Sequence, residues 1–225
     1  MEINPVAYYH CPLPQKFGLP RQAGLAEELE GRIVFEPAFR KPEALRGLDG
    51  FDYIWLVWEF SLNEEGSSLT VRPPRLGGNE RVGVFASRSP FRPNRLGLSS
   101  VKIKSIDFEK CEIVVSGADL ADGTPVYDIK PYVTYCDSHP EARSGFASAR
   151  EWRRLEVRAA SPEVLAALEG ALGEQNLRAL FEVLAEDPRP QYHEDSRKEY
   201  GLSFAGHNIR FLVENGVLTI LKIGC

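Results

Sequence analysis

The chain has 225 residues, 43% hydrophobic and 26% charged, which suits one large domain or a medium domain with a small appendage and excludes a disordered chain. Its longest apolar run, Ile54-Trp55-Leu56-Val57-Trp58, is far short of the ~20 residues needed to cross a membrane, and Met1–Pro5 has no basic region leading into an apolar stretch, so neither a span nor a signal peptide is expected. The net charge of -5, taken whole, argues against a nucleic-acid partner.

From the amino terminus to about residue 136, short runs rich in β-branched and aromatic residues recur: Pro5–Tyr9, Arg32–Phe35, Phe51–Phe60, Arg81–Ser87, Leu98–Phe108, Glu112–Ser116 and Tyr127–Tyr135. Gly, Pro and Asp punctuate them, and the one early helical pattern is short, around Pro42–Arg46. Val101, Ile103 and Ser105 alternate with Lys102, Lys104 and Ile106, the period of a half-buried strand. Strands at this spacing predict a barrel or sandwich. After Pro140 the character changes. Ser161-Pro162-Glu163 is a helix start, with a serine cap and proline at the first helical position. Leucines at helical spacing follow, interrupted at Gly173, and Asp187-Pro188 ends the helix. Asn208–Glu214 and Val217–Ile223 flank Asn215-Gly216, a strong hairpin signal because both residues tolerate positive φ. The fold class expected is mainly β: a small, non-Rossmann β-barrel over residues 1–145, with an α+β appendage over residues 150–225 whose helix and hairpin form their own apolar set.

The four cysteines (Cys11, Cys111, Cys136, Cys225) form no CxxC pair, and with no secretory signal they are expected to be reduced thiols of a cytoplasmic protein. The four histidines make no ligand-spaced cluster, so no metal is expected. Charge is unevenly spread. Between Arg72 and Lys104 eight basic residues face one acid, Glu80, so this window carries +7 and the remainder -12. A basic segment on an acidic chain points to a local anion site.

Three stretches are too polar and too loop-like for packing alone. Phe17–Leu25 sets glycine and proline around Arg21-Gln22. Gly83–Ser99 runs from a strand into a turn carrying Arg88, Arg92 and Arg95, stiffened by Pro90 and Pro93, so less entropy is lost when a guanidinium grips a carboxylate or phosphate. Asp119–Val133 contains the turn signal Asp122-Gly123 and the acids Asp119, Asp122 and Asp128. No G-x-G-x-x-G follows any predicted strand, so a nucleotide site here is not of Rossmann type, and Asp128-Ile129-Lys130-Pro131-Tyr132 lacks the glycine loop that an amine-methyltransferase motif would need.

Together these stretches resemble the TsaA/TrmO-like family of tRNA methyltransferases, from roughly Ile3 to Ser144, with a weaker continuation through Asp187–Pro190 and Tyr200–Gly206. The resemblance implies a small β-barrel methyltransferase that binds S-adenosylmethionine. It also implies action on the exocyclic amine of threonylcarbamoyladenosine at tRNA position 37, in the anticodon loop, by a homodimer with the cofactor site near the subunit boundary. Carried over by position, the cofactor-binding residues are Pro20, Arg21 and Gln22; Ser61, where some members have histidine, and Leu62; Arg88 and Leu98; and Asp119, Leu120, Ala121, Asp122, Gly123 and Thr124. The roles open to them are Arg21 or Arg88 on the cofactor carboxylate, Asp119 or Asp122 on its hydroxyls or ammonium group, and Leu98 on its adenine. Trp55, Trp58 and Phe85 are candidates to face the sulfonium. Four residues are open as the general base: Asp122, Asp128, Tyr127 and Tyr192. Arg72, Arg75, Arg92 and Arg95 are the expected phosphate contacts, with Tyr192-His193 and Tyr200–Gly206 as candidates for stacking on loop bases. Two readings from other classes stand beside this one: a non-catalytic RNA-binding barrel, and a small-anion-binding protein.

Overall fold

The structure, a computed structural model, describes residues 2–64, 68–73, 76, 80–148, 154–189 and 198–224. In chain order the strands are β1 (Ala7–His10), β2 (Glu30–Phe35), β3 (Tyr53–Glu59), β4 (Thr70–Val71), β5 (Val82–Gly83), β6 (Leu96–Asp107), β7 (Glu112–Ser116), β8 (Thr124–Pro131), β9 (Glu156–Ala159), β10 (Tyr200–Phe204), β11 (His207–Glu214) and β12 (Val217–Gly224). The helices are α1 (Pro42–Leu45), α2 (Thr134–Asp137) and α3 (Pro162–Ala185).

Six strands close a barrel in the order β1-β2-β7-β6-β3-β8, every pairing antiparallel. Closure leaves these strands no free edge. The alternation read from sequence fills the interior: Ile54, Leu56 and Trp58 of β3 point inward with Ile33, Val101, Ile113, Val115 and Val126. Tyr9 is completely buried, and its ring lies across Gly31, where an added Cβ would fall 2.2 Å from the hydroxyl.

Two predicted strands stop early. Arg81–Ser87 is a strand only at Val82–Gly83, because the Ser87 amide and hydroxyl both donate to the Val84 carbonyl (3.2 and 2.9 Å) and close a 3-10 turn. The strand predicted over Tyr127–Tyr135 ends at Pro131, which has no N–H for a ladder. The Asp137 carboxylate then accepts from the Val133 amide (2.8 Å) and turns the chain into α2.

The carboxyl-terminal unit is a four-stranded sheet, β10-β11-β12-β9, with β9 parallel to β12 and α3 packed on it. Ser161 caps α3 by accepting from the Val164 amide, and Gly173 breaks it with a non-helical backbone, φ 70° and ψ 172°. Asn215-Gly216 makes the expected β11–β12 turn with both residues at positive φ. Strand β10 has no sequence signal strong enough to separate it from loop; Ala205-Gly206, also both at positive φ, joins it to β11. The apolar set of this unit is not its own. Leu13, Ala26 and Leu29, from the segment between β1 and β2, are fully buried in one cluster with Leu168, Leu180, Leu202, Phe204 and Phe211.

Gly31→Ala is expected to lower stability by about 1–3 kcal/mol, the usual cost of overpacking a filled core. Tyr9→Phe is expected to leave stability nearly unchanged, because the buried Tyr9 hydroxyl faces only the Cys11 thiol, a weak partner. Urea unfolding of both variants, with the slope of the transition held as the control, checks this.

Candidate functional site

A cavity of about 680 Å³ opens at the Glu59 end of β3 and the Leu96 end of β6, lined by residues from both faces of these strands. Its size is in the range that takes a cofactor-sized ligand. Its walls come from stretches far apart in sequence: the Leu19–Ala23 loop, the Ser61–Asn63 turn after β3, the Ser87–Arg92 turn before β6, and the Asp119–Ala121 segment after β7. Pro20, Arg21, Gln22, Ser61, Leu62, Arg88, Leu98, Asp119, Ala121 and Thr124 all line it.

The first wall is held from the carboxyl-terminal unit and from the barrel segment after β7. Phe17 stacks on Tyr200 and Phe211 at 6.4 Å, Gly24 donates to the Gly117 carbonyl (2.8 Å), and the Arg21 guanidinium reaches the carbonyls of Asp187 and Arg189 (3.4 and 3.5 Å). Arg88 reaches across the cavity and donates to the Gln22 side-chain oxygen.

At the floor, the Trp58 indole donates to Ser99 (3.0 Å) and the Ser99 hydroxyl donates to the Asp119 carboxylate (2.6 Å). Burial pushes the Asp119 carboxyl above the usual carboxylate range, opposed by the Ser99 hydrogen bond and by the charge of Arg88. The mouth is apolar. Leu98 is 60% exposed, and Leu62, Phe91 and Leu96 are also exposed beside it, an arrangement that suits a planar heterocycle. Trp58 lies over β6 because residue 97 is glycine; an added Cβ there would meet the indole at 2.3 Å.

Other expected site residues lie elsewhere. The Leu120 side chain is fully buried in the barrel core, so it is not part of the cavity wall. Asp122 pairs with His10 (3.1 Å) and accepts from the Cys11 amide (3.1 Å); neither it nor Gly123 lines the cavity. Asp128 is paired with Lys130 (2.8 Å) and also lies outside the lining. The Tyr127 hydroxyl donates to Glu59, and burial with that hydrogen bond pushes its pKa up to about 12, so it keeps its proton at neutral pH. Tyr192, with His193, lies outside the described residues, as does Arg75. Phe85 is 78% exposed and is not in the lining, whereas Trp55 and Trp58 are.

The expected phosphate contacts divide. Arg72 is exposed, and Arg92 lines the cavity while donating to the Ser87 carbonyl (3.1 Å). Arg95 is turned inward onto Glu59 (2.8 Å) and the Asn63 carbonyl (3.0 Å), which ties the Ser61–Asn63 turn to the start of β6. Glu59 is absent from the residues expected from sequence, although the alternation of β3 places it on the same face as Trp55. Among the described residues no cluster of His, Cys, Asp and Glu could hold a metal, Cys11, Cys111 and Cys136 are free thiols, and no helix is long and apolar enough to cross a membrane.

The family model described as the tRNA-methyltransferase O N-terminal domain matches residues 8–138, and that of the TrmO C-terminal domain matches residues 154–224. The chain is 37% identical over 229 residues to the tRNA (adenine(37)-N6)-methyltransferase of Escherichia coli K12, covering 99% of this chain and 97% of that one. It is 40% identical over 209 residues to a Pseudomonas aeruginosa protein whose name describes an S-adenosylmethionine-dependent methyltransferase, covering 89% and 87%. The crystal structure of TrmO from Pseudomonas aeruginosa superposes with a TM-score of 0.82 at 28% identity, covering 100% of this chain and 98% of that one.

A carboxyl held above its ordinary range binds its proton more tightly in the folded chain than in the unfolded one. The stability it contributes is therefore full in acid and is lost as pH rises through the folded pKa. Asp119→Asn removes that loss, so the variant is expected to gain thermal stability relative to the parent as pH is raised from about 4 to about 7. Melting curves across that range check it; a difference in melting temperature that stays constant with pH contradicts it.

Proposed function

The chain belongs to the TrmO family of tRNA methyltransferases, and from that premise we infer that its cavity takes S-adenosylmethionine and that the protein methylates N6 of adenine 37 in tRNA. The observation that carries this reading is the convergence of three separated stretches on one cavity with a cationic side, a carboxylate floor and an apolar mouth. Those three chemistries match the parts of the cofactor: a carboxylate, hydroxyls with an ammonium group, and an adenine ring. When bound, S-adenosylmethionine supplies an electrophilic methyl group on a sulfonium.

The chain's own residues bind and orient. Arg88 is the candidate for the cofactor carboxylate, since Arg21 is tied to the carbonyls of Asp187 and Arg189. Asp119, set by Ser99 and Trp58, accepts from a hydroxyl or ammonium group. Leu98 with its exposed apolar neighbours covers the adenine. Asp122 and Asp128 lie outside the cavity lining, and Tyr127 holds its proton. Alignment in a preorganised pocket then supplies most of the rate, and the amine proton passes to solvent.

The preferred substrate on this reading is adenosine already carrying a threonylcarbamoyl group. That group makes the N6 proton more acidic and adds a carboxylate, for which Arg92, in the cavity wall, is the candidate partner. Plain adenosine would leave the arginine unpaired. The reading also includes a homodimer and a place in the cytoplasm, where tRNA is modified.

Arg88→Ala is expected to weaken S-adenosylmethionine binding by about 1.5–3 kcal/mol, the worth of a charge-assisted hydrogen bond. Calorimetry measures this directly, and wild-type affinity would assign Arg88 to another role. With labelled cofactor, methyl incorporation is expected into tRNA that already carries the threonylcarbamoyl group and little into an unmodified transcript. Equal incorporation into both would remove the carboxylate handle.

A further inference from the structure

Beside the cavity, the outward face of the barrel carries side chains that cofactor binding does not use. In β3 the residues that alternate outward are Tyr53, Trp55, Val57 and Glu59. Trp55 lines the cavity; Tyr53, two positions before it, does not. The Tyr132 ring lies between them, 5.5 Å from Trp55 and 6.2 Å from Tyr53. Trp55 is fixed in this row by its indole hydrogen bond to Asp137 (2.9 Å).

The register adds charge to the row. Lys102 of β6 stands opposite Tyr53, and Lys130 of β8 stands opposite Trp55. The Lys130 ammonium is already balanced by Asp128 (2.8 Å). Lys102 is exposed and has no ion-pair partner among the described residues. Tyr53 is 41% exposed, so a ring on the strand of a closed barrel is left facing water. Core packing explains Ile54, Leu56 and Trp58 and leaves this row unexplained.

We propose that the Trp55–Tyr132–Tyr53 row with Lys102 is the surface on which single-stranded bases of the tRNA loop stack as the target adenine is delivered to the cavity. Every base has a π-face, so aromatic rows take single strands with little sequence preference, and a neighbouring lysine meets the phosphates. The row is continuous with the cavity through Trp55, so it offers nucleotides that flank a base in the cavity an adjoining surface. A loop base that is to be methylated has to leave its stack, and its neighbours need new surfaces. Lys102 supplies the cation at the edge of the row, while the one carboxylate in contact with it, Asp137, is engaged by the Trp55 indole and the Val133 amide. This proposal rests on the tRNA reading above and names part of its RNA contact.

The test uses the full-length protein and a fluorescein-labelled anticodon stem-loop RNA, measured by anisotropy without cofactor. Tyr53→Ala is expected to weaken binding at least fivefold, as loss of one stacked base does, while Tyr53→Phe, which keeps the ring, stays near the parent. Lys102→Ala is expected to reduce the salt dependence of log affinity by about one phosphate contact. S-adenosylmethionine affinity by calorimetry stays unchanged in all three variants, because neither residue lines the cavity. Unchanged RNA affinity in Tyr53→Ala together with an unchanged salt slope in Lys102→Ala overturns the proposal. So does a change of solution mass in Tyr53→Ala, which would make this face a contact between copies of the chain. If the parent binds the stem-loop through these residues yet methylates no tRNA, the catalytic reading fails and the stacking surface stands.

Discussion

The segment from Leu13 to Leu29 is buried at both ends, and the site depends on that burial. It leaves the barrel after β1 and returns to it at β2, yet Leu13, Ala26 and Leu29 belong to the apolar cluster of the carboxyl-terminal sheet and helix. Polar contacts fasten the same segment: Glu182 accepts from the Glu28 amide (2.7 Å), and Gln175 donates to the Glu28 carbonyl (2.8 Å). Between these anchors lie Pro20, Arg21 and Gln22. A loop of this length is ordinarily a mobile surface feature. Here the apolar residues at its ends and the stacking of Phe17 on Tyr200 and Phe211 hold it against the cavity. The carboxyl-terminal unit is thus a support for the cavity wall, whatever further contact it makes with a substrate.

The opposite walls are held by charge. Glu59 accepts from Arg95 and from Tyr127, and Arg95 also reaches the Asn63 carbonyl. Both carboxylate oxygens of Glu59 are engaged, and the turn after β3 is joined to the start of β6 through one guanidinium. A planar fork with several donors makes this possible, where a lysine would offer a single point charge. Beneath them the Trp58–Ser99–Asp119 chain sets a carboxylate at the floor, in surroundings that disfavour its charge. The Ser99 hydroxyl and the charge of Arg88 offset part of that cost.

Local signals are sufficient where the physics is local. The alternation of β3 and β6, the serine cap and Gly173 break of α3, and the Asn215-Gly216 turn depend on neighbouring residues and can be read from them. So can the three loop-like stretches that line the cavity, because glycine, proline and arginine in those patterns have few packing explanations. The lack of a glycine-rich phosphate loop is legible in the same way, and it alone excludes a Rossmann site.

What the chain alone leaves open depends on partners distant in sequence. Arg95 and Arg92 look alike in a basic run, but only folding brings Glu59 and Asn63 to Arg95 and turns it from an RNA candidate into a brace. Asp119 and Asp122 are three residues apart, yet one faces the cavity and the other faces His10, because a single turn sends their side chains to different surroundings. The shared core is of the same kind: Leu13 and Leu29 stand in a loop-like stretch, and only folding sets them among the residues of the carboxyl-terminal sheet and helix. Sequence by itself determined most of the barrel strands, the cap and break of α3, the non-Rossmann character and the loop-like stretches that meet at the site, but not β9 or β10. The tertiary structure decided which charges are free to meet a ligand, since a charge is available only when no neighbour in space has already neutralised it.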